Sequence, residues 1–213
     1  MKMNTDREIF HITHVDNLTS IMEAGRLFSD RDVLDTECVT IRIGYDHIKH
    51  RRLYKPVPCY PGTRVGDYVP FYFCPRAPML YVIERRAPEL PFQGGQRNIV
   101  HLVSTIGAAI TEAKDRPWTY SDGNASAGYT QFYRDVHQMD AVVDWEAVES
   151  RDWGDPAVKE KKQAEFLVHG YFSWSCFHEI GVLNKKVAQH VRQMVKSFAS
   201  HEPEVSIRPD WYY

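Results

Sequence analysis

Glu165 stands in Lys161-Lys162-Gln163-Ala164-Glu165-Phe166-Leu167-Val168, at the head of an apolar run. A carboxylate on an apolar strand is costly to bury unless something pairs with it. Alternation on a half-exposed strand would simply turn Glu165 outward. The unbroken run 166–168 favours an internal strand instead, with the carboxylate facing a pocket. There it can hydrogen-bond the 2-hydroxyl of a ribose whose anomeric carbon becomes cationic, the electrostatic help glycosidases give their transition states. Far upstream, Phe10-His11-Ile12-Thr13-His14 reads as a strand ending in polar groups. One histidine at a strand end is usually structural. Its functional reading is that the His11 ring and the amides of Ile12 and Thr13 clamp a ribose and a carboxamide, since fixed backbone donors suit such a ligand. Together the two segments suggest a pocket that cleaves the glycosidic bond of NAD.

Lys49-His50-Arg51-Arg52-Leu53-Tyr54-Lys55 is the densest positive segment, flanked by Tyr45 and containing Tyr54. Most charge runs are solvated faces. Basic residues interleaved with aromatics also suit single-stranded nucleic acid, and one arginine could hold a pyrophosphate bidentately. Other motifs fail. His47-x-x-His50 has metal-like spacing but no accompanying Cys or carboxylate pair, so no metal is expected. There is no G-x-G-x-x-G after a strand, no G-x-S-x-G elbow and no P-loop.

The elements that must position these groups read as one α+β domain. Residues 8–12 form a short strand; Asp16-Asn17 offers a cap for a helix through Leu18, Ile21 and Met22, with Gly25 as its stop. Residues 29–68 look irregular and too long for a passive connection. Strands are expected over 67–74, 98–103, 165–168 and 177–183, a helix turn or strand over 79–83, and a helix over 187–198. The stretch from about 115 to 160 reads as irregular. A chain of 213 residues, 43% hydrophobic with a net charge of −2, can bury a real core and is no general nucleic-acid coat. Four scattered cysteines (Cys38, Cys59, Cys74, Cys176), no leader pattern and no long apolar run point to a reduced, cytoplasmic protein without a membrane span.

In order along the chain, several segments resemble the DarT family of DNA ADP-ribosyltransferase toxins: Phe10–His14 with Asn17-Leu18; Ile48–Arg52; Asp67–Tyr81 with its aromatic-proline core; Gly94-Gly95-Gln96; Lys162–Val168; and the terminal Arg208–Tyr213. The resemblance implies an ADP-ribosyltransferase-like fold across 1–213, two small, mostly antiparallel sheets forming an NAD cleft with flanking helices. It implies transfer of ADP-ribose from NAD to a base in single-stranded DNA in a sequence-dependent manner, most typically a thymine ring nitrogen, with guanine in some relatives. A DarG-type macrodomain antitoxin is the implied partner, and monomer the default state. An alternative is a protein-directed transferase or NAD glycohydrolase on the same scaffold.

Carried over residue by residue, the family pattern puts His11, Ile12 and Thr13 on the nicotinamide side, Ser20 and Phe28 near the adenosine half, and Tyr72 and Met79 along the cleft. An element over about 33–52 would cover NAD and carry an essential arginine, assigned to Arg51 with Arg52 one residue away. Tyr45, Lys49, Arg52 and Tyr54 would meet DNA. Residues from about 118 to 165 would form the substrate loop leading to the catalytic Glu165. Glu165 is the simpler base for a thymine ring nitrogen, because a guanidinium resists deprotonation.

Overall fold

The computed structural model describes residues 4–36 and 41–213. In chain order the strands are β1 (Glu8–His14), β2 (Arg26–Phe28), β3 (Tyr68–Tyr72), β4 (Ile99–Thr105), β5 (Trp118–Ser121), β6 (Phe132–Tyr133), β7 (Glu165–His169), β8 (Tyr171–Ser173), β9 (Glu179–Val182) and β10 (Glu204–Ile207). Interleaved with them are helices α1 (Leu18–Glu23), α2 (Asp30–Thr36), α3 (Asp46–Tyr54), α4 (Pro78–Glu84), α5 (Ile106–Ala113), α6 (Met139–Val142), α7 (Trp145–Glu149), α8 (Pro156–Lys161) and α9 (Lys185–Phe198).

Eight strands hydrogen-bond in the order β10-β9-β4-β1-β3-β7-β5-β6, and β2 pairs with β8 in a small second sheet. Every pairing is antiparallel except β10 with β9. The large sheet is two halves of four strands. Their junction is one register pair, Phe10 with Tyr72, whereas β1 meets β4 over seven pairs and β3 meets β7 over five. Past Phe10 the two strands splay, and the cleft opens in the gap.

Local sequence explains most elements. β4 is buried along nearly its whole length, as suits a strand covered on both faces. Gly25 leaves α1 at a φ of 65°, where a side chain would be strained. Pro78 opens α4, where its missing N–H costs nothing. Asn184 caps α9, which lays Val187, Val191, Met194 and Val195 on the core.

Several sequence expectations change. The span 29–68 holds α2 and α3, and 115–160 contains β5, β6 and the helices α6 to α8. Residues 79–83 are helical. Asn17 flanks α1 without capping it through its side chain. Buried, it spends its amide on Thr13 Oγ1 (3.1 Å) and on the Ile41 carbonyl (2.9 Å), and accepts the Ile41 N–H (2.9 Å). Burial demands partners for every polar atom, and here those partners pin residue 41 beside β1. Cys59, Cys74 and Cys176 are free thiols. Cys38 and part of the 33–52 element lie outside the described residues. Among those described, no helix is long and apolar enough to cross a membrane.

Candidate active site

The splayed strands and the helices over them enclose a cleft of about 400 Å³. β1 contributes His11, Ile12 and Thr13; β3 contributes Pro70 and Tyr72; Phe28, Met79 and Glu165 join the walls from three further elements. Sequence reasoning singled out most of these.

Glu165 begins β7 and is 3% exposed. Its Oε2 accepts from Arg52 Nη1 at 2.8 Å and its Oε1 from the backbone N–H of Ala125 at 2.9 Å. The partner that a buried carboxylate requires is therefore Arg52, itself 7% exposed. Arg52 Nε donates to Asp30 Oδ2 at 3.2 Å, and Nη2 is buried with no partner. Burial alone would weaken the guanidinium's hold on its proton, but Glu165 and then Asp30 outweigh that and push its pKa up. Tyr72, paired in register with Glu165, has its phenol pKa raised first by burial and then by that carboxylate. His11 Nδ1 lies 2.8 Å from the Pro70 carbonyl, so it carries the hydrogen and leaves Nε2 an acceptor. Burial lowers the His11 pKa below its ordinary 6.5, against the pull of that hydrogen bond.

Helix α3 separates its two arginines by face. Tyr45, Ile48, Lys49 and Arg52, spaced three and four apart, all line the cleft. Arg51 and Lys55 fall on a different face and grip the loop between β5 and β6. Arg51 Nη2 donates to Ser126 Oγ at 3.2 Å, and Lys55 Nζ to the carbonyls of Ala127 (2.9 Å) and Gly128 (3.2 Å). Ser126 in turn donates to Asn124 Oδ1, and Asn124 Nδ2 donates to Gln163 Oε1 at 3.0 Å. That network holds the Ala125 N–H against Glu165.

Ser20 and Tyr54 lie apart from the cleft. Ser20 Oγ turns back to the Asn17 carbonyl at 3.0 Å, and Tyr54 is 67% exposed at the end of α3. Among the polar cleft residues that sequence reasoning passed over are Asp30, Asn124, Lys159 and Gln163. Ile48, four residues before Arg52, marks the inward face of α3, but it is a signal only once residues 46–54 are known to be helical. Gln163 sits two residues from Glu165 in a segment singled out for other reasons.

The chain is similar to known proteins over nearly its whole length. Residues 10–213 match the family described as "ssDNA thymidine ADP-ribosyltransferase, DarT". A DNA ADP-ribosyl transferase of Thermus sp. strain 2.9 is 42% identical over 207 residues, 96% of this chain and 95% of that one. The structure of Thermus sp. 2.9 DarT in complex with ADP-ribosylated ssDNA superposes with a TM-score of 0.89 at 40% identity, covering 97% of this chain and 96% of the other. The same protein in complex with NAD+ gives a TM-score of 0.82 at 37% identity, covering 97% and 98%.

Proposed function

Because the chain belongs to the DarT family of ssDNA thymidine ADP-ribosyltransferases, we propose that its cleft uses NAD to place ADP-ribose on a thymine ring nitrogen of single-stranded DNA. The observation that carries this reading is the buried Glu165 on the cleft floor, fixed by Arg52 and the Ala125 amide. The cleft's volume falls in the usual ligand range of roughly 300–1,000 Å³. The unpartnered Arg52 Nη2 is a donor waiting for an acceptor.

When bound, NAD supplies the ADP-ribosyl group, with nicotinamide as its leaving group. His11, Ile12 and Thr13 hold the nicotinamide side; Phe28, Tyr72 and Met79 pack the remainder. Ser20, assigned by the resemblance to the adenosine half, does not line the cleft and takes no part in this scheme. Glu165 accepts a ribose hydroxyl hydrogen and opposes the positive charge that develops as the bond breaks. Arg52 is the essential arginine in this scheme. Two carboxylates keep it protonated, so it orients and stabilises charge, while Glu165 takes the proton of the attacking nitrogen. Arg51 serves the substrate loop through Ser126. Tyr45 and Lys49 on the cleft wall, with Tyr54 further out, meet the DNA strand, whose target base is accessible only when unpaired. The protein works in the cytoplasm as a monomer, where its DNA lies, and a DarG-type macrodomain antitoxin reverses its mark.

The test is mass spectrometry of mixed-sequence single-stranded oligonucleotides incubated with the protein and NAD. An ADP-ribose adduct on thymine bears the reading out. An adduct on guanine corrects the base alone. Free nicotinamide without a DNA adduct overturns the reading in favour of a glycohydrolase or a protein-directed transferase.

A further inference from the structure

Arg52 is held from two sides, and the two sides differ. Toward β7 its Nη1 meets Glu165, the carboxylate that the reaction needs free to engage a ribose. Toward α2 its Nε meets Asp30, which lies against the opposite wall. Asp30 is itself well anchored. It follows β2, whose Leu27 pairs with Phe172 of β8, and the intervening Ser29 N–H donates to the Gly170 carbonyl at 2.7 Å. Its second oxygen lies 3.5 Å from Lys49 Nζ. A guanidinium is a planar fork, so fixing Nε and Nη1 fixes where Nη2 points. Here that nitrogen is buried and no protein group among the described residues partners it.

We propose that Asp30 is a positioning residue for Arg52: it holds the guanidinium in its working plane whenever Glu165 releases its share of the contact to the ribose. The inference rests on the roles given above to Arg52 and Glu165. Asp30 acts through Arg52, so its removal loosens the arginine without emptying the cleft of any group that grips NAD directly.

The experiment is a double-mutant cycle on the full chain: Asp30→Ala, Arg52→Ala and the double variant, with Asp30→Asn alongside. Single-turnover transfer to a thymine-containing oligonucleotide is followed at enzyme excess, with NAD affinity and thermal unfolding measured on each variant. Asp30→Ala should lower the transfer rate about 30-fold with NAD affinity changed less than about 3-fold. Asp30→Asn, whose amide oxygen still accepts from Nε, should recover part of that loss. In the Arg52→Ala background, Asp30→Ala should cost nothing further, because residues acting as a unit are not additive. Multiplicative losses in the double variant, or a loss seen only in NAD affinity, would overturn the role of Asp30 and leave the reading of the cleft standing. Wild-type transfer by Arg52→Ala alone would overturn that reading itself.

Discussion

Two basic side chains are buried in this molecule beside two different clefts, and they are satisfied in opposite ways. Arg52 lies between the carboxylates of Glu165 and Asp30 and keeps one nitrogen without a partner. Lys162, 2% exposed, lines a second cleft of about 690 Å³, where its Nζ donates to the Val148 carbonyl at 2.5 Å and to Cys74 Sγ at 3.5 Å. Among the described residues no carboxylate forms an ion pair with it. The contacts of Lys162 are therefore neutral and internal, tying α7 to the segment before β7. Arg52 in the first cleft is instead held by two charges. Each cleft has in its lining one buried side-chain nitrogen without a partner among the described residues, Arg52 Nη2 in the first and Arg76 Nε in the second, so it is the pair of carboxylates around Arg52 that separates them.

That contrast can be broken most directly at Glu165. Glu165→Ala should cut ADP-ribose transfer on the order of 10³-fold, as expected when a transition-state electrostatic partner is removed; retention of more than a few per cent of the wild-type rate would mean the carboxylate was misassigned. Next come the neighbouring arginines, assayed side by side. Arg52→Ala should lose about 10²-fold in transfer rate, and Arg51→Ala less than about 5-fold, because Arg51 reaches only the loop. Equal mild effects would erase the distinction between the faces of α3.

Lys162→Ala sharpens the other side of the comparison. It should lower unfolding stability by about 3 kcal/mol in a denaturant titration, through the cavity and the orphaned Val148 carbonyl. Transfer by the folded fraction should stay within about 2-fold. A severe rate loss in folded protein would make the second cleft part of the chemistry. The smallest effect lies behind that cleft, at His101, packed edge-on to Trp211 with Nε2 at 3.0 Å from the Pro75 carbonyl. Burial lowers its pKa from 6.5 to about 4. The folded state thus holds it neutral while the unfolded chain protonates it, so the stability it contributes is present above pH 6.5 and drains as pH falls toward 4. Acidifying to about pH 5 should remove about 2 kcal/mol, and a His101→Asn variant should show a flatter stability profile over that range.

The parts of the site readable in sequence were those whose signal is local. A carboxylate heading a continuous apolar run announced Glu165, and the strand around His11 showed its own pattern. Strands β1, β3, β4 and β7 were legible for the same reason. The choice between Arg51 and Arg52 was not, because 29–68 read as irregular and the only apolar marker on the inward face of α3 is Ile48. Asp30 was beyond reach for a different reason. Its place depends on β2 pairing with β8, strands separated by over a hundred residues, and no spacing within either segment encodes that. The loop residues Asn124 and Ser126 likewise acquire meaning only once α3 is folded against them.

The single rung between Phe10 and Tyr72 carries one more consequence. An outermost strand exposes a row of backbone donors and acceptors that invites pairing with a stranger. Here β1 parts from β3 beyond Phe10, and among the described residues no strand takes up the vacated side. The fold has, in effect, moved an edge to its centre. Main-chain donors and acceptors on that side survive any substitution that leaves the backbone intact, proline being the exception. An edge set at the centre in this way is defined by the path of the chain more than by the side chains along it.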